Sequence, residues 1–256
     1  MYTLKKVIRK GELKAMEQST SKVCVITGGT GGIGYHLSLG FHKAGYQVIT
    51  LDIKQHKPLE EGIDFIEIDV GKQADIHRAF EQITDKYGAV HVLINNAAIS
   101  TFSKHISDIS VEEFDAVIDV NLRGSFICAK EFIQANSGQA YGRIINIAST
   151  RWDQNEADWE AYGASKGGLV SLTNTLAVSL SDTPITVNAV SPGWIQVEGY
   201  EELSKEGHAQ HPSGRVGKPR DIINACLFLA DEQNDFINGH NLVVDGGMTK
   251  KMVYEG

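Results

Sequence analysis

Seven short apolar runs, separated by helix-like stretches, limit what this chain can fold into more than any other feature. They lie at 22–27 (KVCVIT), 47–52 (QVITLD), 64–69 (DFIEID), 90–95 (VHVLIN), 143–148 (RIINIA), 185–190 (ITVNAV) and 241–246 (NLVVDG). Each is nearly continuous in apolar residues rather than alternating, as expected of strands buried on both faces in a parallel sheet. Helical patterns fill the intervals at 32–44, 73–87, 110–135, 160–181 and 219–231. Strand and helix alternate without a Pro- or Ser-rich linker. This predicts a single doubly wound, Rossmann-type α/β domain with about seven parallel strands flanked by helices. The domain is expected over 22–256, after a polar, lysine-rich segment at 1–21 that reads as a solvated extension.

The first strand runs into a glycine-rich turn, VITGGTGGIG (25–34), that opens the first helix. Gly28, Gly32 and Gly34 are spaced G-x-x-x-G-x-G, a departure from the general dinucleotide pattern G-x-G-x-x-G. The physics is the same: glycines permit a tight turn and let backbone N–H groups approach a pyrophosphate at a helix N-terminus. Asp52 closes the next strand, eighteen residues after Gly34. A carboxylate there accepts the ribose hydroxyls of NAD and repels the 2′-phosphate of NADP, so NAD is the expected cofactor. The competing readings are an ordinary glycine loop and a polar strand end.

A formal charge of −8 disfavours nucleic acid, whose phosphates need a basic face. No apolar run reaches the ~18 residues of a membrane span, and no signal-peptide pattern opens the sequence. Cys24, Cys128 and Cys226 lie far apart in apolar segments without metal-ligand spacing, and the histidines lack one too. Buried free thiols in a reducing, cytoplasmic setting are expected, with no metal, no membrane and no nucleic-acid partner.

The segment AYGASKGG (161–168) places Tyr162 and Lys166 four residues apart, on one face of a helix. A free phenol has a pKa near ~10, and a nearby ammonium favours the phenolate. Tyr162 is therefore expected to have a lowered pKa and to exchange the hydroxyl proton of an alcohol while hydride leaves its carbon. The small neighbours Gly163, Ala164, Ser165, Gly167 and Gly168 let the helix approach sheet and cofactor closely. Ser149 ends the fifth strand, at the carboxyl edge where open α/β folds bind ligands. It would hydrogen-bond the substrate oxygen, or else simply cap the following loop.

Together TGGTGGIG, NNAA (95–98), Asn121, Ser149 and YGASK (162–166) resemble the short-chain dehydrogenase/reductase family, over about residues 22 to 248. The resemblance implies catalytic roles for Asn121, Ser149, Tyr162 and Lys166. Lys166 would hydrogen-bond the nicotinamide ribose, and Asn121 would hold a water in the proton path; a satisfied buried amide is the alternative for Asn121. It also implies cofactor contacts at Gly28, Thr30, Gly31, Gly32, Ile33, Gly34, Asp52 and Ile53. Asp69 and Val70 would lie at the adenine, Asn95 and Ala97 beside the ribose, and Pro192, Gly193 and Ile195 over the carboxamide. A homo-oligomer, tetramer or dimer, is implied, with the helices near 110–135 and 160–181 paired between subunits.

The implied function is an NAD(H)-dependent oxidoreductase interconverting a small-molecule secondary alcohol and ketone. An NADPH-dependent carbonyl or 3-oxoacyl-thioester reductase and a non-catalytic dinucleotide-binding sensor or scaffold are the alternatives. Substrate choice is expected to lie in 150–161 and in a lid at 194–214. Trp152, Trp159, Trp194 and Tyr200 would line the pocket, with Asp153, Glu156, His208 and His211 at its rim. That lid is short for the family and lacks the threonine often found after the Pro-Gly turn.

Overall fold

The computed structural model describes residues 21–101 and 103–252. The extension at 1–21 lies outside these residues except for Ser21. Seven strands form one all-parallel sheet: β1 (Val23–Thr27), β2 (Gln47–Asp52), β3 (Ile63–Glu67), β4 (Val92–Asn95), β5 (Gly142–Ile147), β6 (Ile185–Pro192) and β7 (Asn241–Val244). Their order across the sheet is β3-β2-β1-β4-β5-β6-β7. The chain steps outward from β1 to β3, then crosses back to lay β4 on the other side of β1. That reversal opens a crevice between the carboxyl ends of β1 and β4, where such sheets bind ligands.

Two-residue periodicity in each strand sends alternate side chains to opposite faces. Val23 and Val25 of β1 join a core with helices α2 (Gln73–Tyr87) and α4 (Ser125–Ala135) and the end of α5 (Glu160–Ser179). Cys24 and Ile26 face the other way, against α1 (Gly32–Lys43) and α7 (Pro219–Ala230). The three cysteines are free and buried.

The expected helix at 110–135 is three pieces: α3 (Val111–Ile118), a π-helical turn at Asp119–Gly124, and α4. α3 starts at a capping box in which the Ser110 side chain accepts from Glu113 N and Glu113 reaches back to Ser110 N. The π turn lies tight against the loop after β3, where a side chain at Gly124 would sit 2.7 Å from the Val70 carbonyl oxygen. Such widened turns concentrate at functional sites because they redirect one side chain out of helical register. Here that side chain belongs to Asn121. The expected lid folds as a short 3-10 turn at Tyr200–Glu202 and a helix α6 (Lys205–Ala209).

Candidate active site

The glycine turn is built as its residue types require. Gly28 (φ +63°) and Gly32 (φ +50°) adopt left-handed backbone that side chains rarely permit. A Cβ at Gly34 would lie 2.0 Å from the Gly28 carbonyl oxygen, so only glycine lets α1 start this close to the turn. α1 begins at Gly31 with no side-chain cap and no acidic residue in its first turn. Its leading N–H groups therefore lack partners within the helix, and Gly32 has nothing within 4 Å of where a Cβ would be. An uncapped, electropositive helix start flanked by bare glycine backbone fits a dinucleotide pyrophosphate.

Asp52 stands beside this turn at the end of β2. Its Oδ2 accepts from the Thr30 amide (3.2 Å) and hydroxyl (2.8 Å), and its Oδ1 accepts from the Ile53 amide (2.9 Å). The imidazole Nε2 of His56 lies 3.7 Å from Oδ1. Thr30 is completely buried; the Lys54 carbonyl, 3.0 Å away, is an alternative acceptor for its single hydroxyl proton, and its oxygen accepts from the His56 amide. The Thr30 side chain is thus taken up within the protein, which leaves only its main chain for the expected cofactor contact. It is a brace that aims Asp52. Ile33 packs against the α1–α7 core, and Ile53 is exposed at the rim of the crevice.

At the end of β4, the Asn95 side chain is turned away from the crevice. It points into the sheet, where the amide donates to Asn146 Oδ1 (2.8 Å) and the Ser125 carbonyl (3.3 Å). With 2% of the residue exposed, that side chain is sealed from the crevice. The next residue, Asn96, faces the glycine turn instead and donates to the carbonyls of Thr27 and Gly28, at 3.1 Å each. Thr27 Oγ1 in turn accepts from the amides of Asn96 and Ala97. Thr27 and Asn96 therefore staple the two sides of the crevice together, a role not read from sequence. After β3, Asp69 accepts from the Gly71 amide (2.9 Å) and pairs with Lys72 (3.5 Å), while the Val70 side chain is buried.

Ser149, Tyr162 and Lys166 meet at the carboxyl end of β5. The helical spacing brings Lys166 Nζ to 5.5 Å from the Tyr162 ring centroid. Pairing of β4 with β5 stops at Asn95–Asn146, leaving the Ile147 carbonyl beyond the ladder. Lys166 Nζ donates to that carbonyl at 2.7 Å. The side chain is buried, and burial pushes its amine down to about 8. Burial also raises the Tyr162 phenol; the Ser149 hydroxyl and the Arg151 guanidinium oppose that rise. The expected lowering of the tyrosine by its lysine is thus not what this geometry gives. Desolvation outweighs the neighbouring charges, and the cation that acts on the phenol is Arg151, which the sequence reading overlooked.

The Asn121 side chain is a satisfied buried amide. Its Oδ1 accepts from the Ile99 amide (2.7 Å), and its Nδ2 donates to the Ile99 carbonyl and to Ser165 Oγ, both at 3.1 Å. Through Ser165 it fixes α5 one residue before Lys166. Of the small residues on α5, Gly163 and Gly168 sit close against neighbouring side chains, where a Cβ would lie 2.5 Å from Asn155 Oδ1 and 2.8 Å from Leu122 respectively, so those side chains would have to shift. Gly167 is less constrained, its nearest such neighbour being the Trp152 carbonyl oxygen at 3.9 Å.

Beyond β6, Pro192 is buried and Gly193 passes so close to Asp245 that a side chain would clash. Ile195 bridges to Gly217, which anchors the base of the lid. Of the expected rim residues, His208 accepts from the Val216 amide (3.1 Å) and packs on Tyr200, while His211 is buried against Trp194. His211 is therefore part of the lid's support and not of a rim. Among the described residues, no group of His, Cys, Asp and Glu could hold a metal ion. No described helix is long and apolar enough to cross a membrane.

Known proteins share this architecture. A family model described as enoyl-(acyl carrier protein) reductase matches residues 28–249. A Thermotoga maritima protein named as an uncharacterized oxidoreductase is 42% identical over 252 residues, covering 91% of this chain and 98% of that one. A 3-oxoacyl-[acyl-carrier-protein] reductase of the same organism is 33% identical over 240 residues, with 89% and 97% covered. The solved structure of an apo SCOR enzyme from Clostridium thermocellum matches with a TM-score of 0.83 at 38% identity, covering 93% of this chain and 96% of its own.

Proposed function

The chain belongs to the short-chain dehydrogenase/reductase family, and from that premise we propose an NAD(H)-dependent enzyme that interconverts a secondary alcohol and a ketone. The observation that carries this reading is the convergence of Ser149, Tyr162 and Lys166 at the sheet edge that also holds the uncapped, glycine-lined start of α1. When bound, a nicotinamide ring supplies the hydride acceptor or donor and, in its oxidised form, a positive charge.

Tyr162 holds or releases the proton of the substrate oxygen, and Ser149 hydrogen-bonds that oxygen and steadies the charge it develops. Lys166 spends one N–H on Ile147, which leaves two donors for a ribose. Asn121 holds α5 in place through Ser165, and a water in the proton path would have to use its main chain, since its amide is committed. Asp52, aimed by Thr30, supports a preference for two ribose hydroxyls over a 2′-phosphate. Half-exposed Phe126 on α4 and exposed Val178 on α5 support association through these helices into a dimer or tetramer.

An NADPH-dependent reductase of 3-oxoacyl thioesters is the second reading. It is favoured by the relative named as a 3-oxoacyl-[acyl-carrier-protein] reductase and by the His56 imidazole, which stands 3.7 Å from Asp52. Turnover of a carbonyl and alcohol panel with NADH and with NADPH tests both. The expected result is NADH-linked turnover reduced about 100-fold or more by Tyr162→Phe. Unreduced turnover in that variant refutes the assigned acid/base, and a clear NADPH preference refutes the argument from Asp52.

A further inference from the structure

Arg151, whose charge opposes the rise in the Tyr162 phenol, also lies two residues from Ser149 on the loop between the two oxygen-binding residues. Its guanidinium carbon lies 4.1 Å from the ring centroid of Trp159. Trp159 in turn stands edge-on to Tyr162, with centroids 5.7 Å apart and planes at 75°. Arginine, tryptophan and tyrosine thus form one continuous stack that ends at the phenol. The Arg151 amide donates to Ser149 Oγ at 3.3 Å, which ties its backbone to the other oxygen-binding residue of the site.

The charge on Arg151 is balanced from outside. Its Nη2 lies 2.7 Å from Glu156 Oε2, where the arginine side chain is 22% exposed and the glutamate 68%. An ion pair with one partner largely in water contributes little, so exchanging Glu156 for another carboxylate costs little. A substrate carboxylate that takes the place of Glu156 at the guanidinium edge gains the paired N–H···O bonds of an arginine–carboxylate fork, on an arginine side chain that is only 22% exposed. Trp159 holds the guanidinium plane by stacking, so little side-chain entropy is lost in making those bonds.

We propose that Arg151 anchors a carboxylate of the substrate, so that the enzyme acts on a hydroxy acid and its oxo acid rather than on a neutral alcohol. The inference rests on the hydride-transfer reading above and names its substrate class. In the oxidative direction the carbinol hydrogen leaves as hydride to the oxidised cofactor, and the hydroxyl proton passes to Tyr162. The carboxylate stays on Arg151 throughout. A monoanion suits this place better than a phosphate dianion, because the same loop carries the exposed carboxylates Asp153, Glu156 and Glu160.

The test compares kcat/KM for a short 3-oxo acid, its methyl ester and a matched phosphate monoester, each with NADH. The wild-type protein is expected to prefer the acid over the ester by about tenfold or more. Arg151→Gln is expected to collapse that ratio, Arg151→Lys to retain part of it, and Glu156→Gln to lower KM for the acid but not for the ester. Loss of the loop's structure alone would lower both arms together and leave the ratio intact, and that result overturns the anchor. So does equal use of acid and ester by the wild type, or preference for the phosphate ester. If no carbonyl is turned over with either cofactor, the hydride-transfer reading fails instead. Quenching of tryptophan fluorescence by the oxo acid then still tests the anchor, which is overturned if Arg151→Gln binds as tightly as the wild type.

Discussion

Replacing Lys166 with methionine tests the electrostatics of the site through folding rather than through turnover. Burial lowers the amine from an ordinary 10.5 to about 8. Every pH unit between those two values is worth about 1.4 kcal/mol, so holding the ammonium in place at neutral pH costs about 3 kcal/mol. Lys166→Met removes that cost but also removes a charged hydrogen bond to the Ile147 carbonyl, worth about 1.5–3 kcal/mol. The two nearly cancel at pH 7, so a single unfolding midpoint decides nothing. The pH dependence does. Between about pH 8 and 10.5 the unfolded chain carries a proton on this amine that the folded chain has lost, so folding gains stability as the pH rises. Below about pH 8 both states hold the proton and the slope vanishes. Urea unfolding of both proteins, at one concentration and several pH values, should show wild-type stability climbing relative to Lys166→Met by about 1.4 kcal/mol per pH unit above pH 8. Other titrating groups drop out of the difference. A difference that stays flat from pH 8 to 10 would mean that the amine is not desolvated, and the account of the site would fail with it.

Two further outcomes test the framework around the site. Gly34→Ala, whose Cβ would stand 2.0 Å from the Gly28 carbonyl oxygen, should weaken NADH binding about tenfold or more by fluorescence titration. Gly45→Ala, strained at φ +90° but with nothing within 4 Å, should lose about 1–2 kcal/mol of stability and leave NADH affinity as it was. The three cysteines are buried with raised pKa values, Cys128 to about 12, so a thiol reagent should find none of them in the native protein and all three after unfolding. Reaction of the native protein would show a core looser than the one described.

What could be read in advance was local in the chain. Each strand is a contiguous apolar run, the turn at 28–34 carries its own glycines, and the Tyr162–Lys166 spacing is a property of one helix. Asn95 and Asn96 show where that legibility ends. They are adjacent, and strand parity sends one amide into the sheet and the other toward the glycine turn; which is which depends on the pairing of β4 with β5. Arg151 was missed because its place depends on Trp159, eight residues on, folding back to stack under it. The π turn at Asp119–Gly124 lies inside a sequence whose apolar pattern reads as uninterrupted helix, and only the approach of Gly124 to Val70 accounts for its position.

The sign of the Tyr162 shift follows from the same division between local spacing and tertiary burial. Spacing alone brings an ammonium within 5.5 Å of a phenol and predicts that each favours the charged form of the other. Burial disfavours charge on both, and it moves the phenol up and the amine down. The protein by itself therefore rests with the phenol protonated, ready to give a proton to a carbonyl oxygen. Taking a proton from an alcohol needs positive charge added near the oxygen. Arg151 supplies part of it from within the chain, and an oxidised nicotinamide, when bound, would supply further positive charge. Under the proposed function, such a site would hold its base in reserve until oxidised cofactor is bound, so that a substrate alcohol arriving first would meet a neutral phenol and keep its proton.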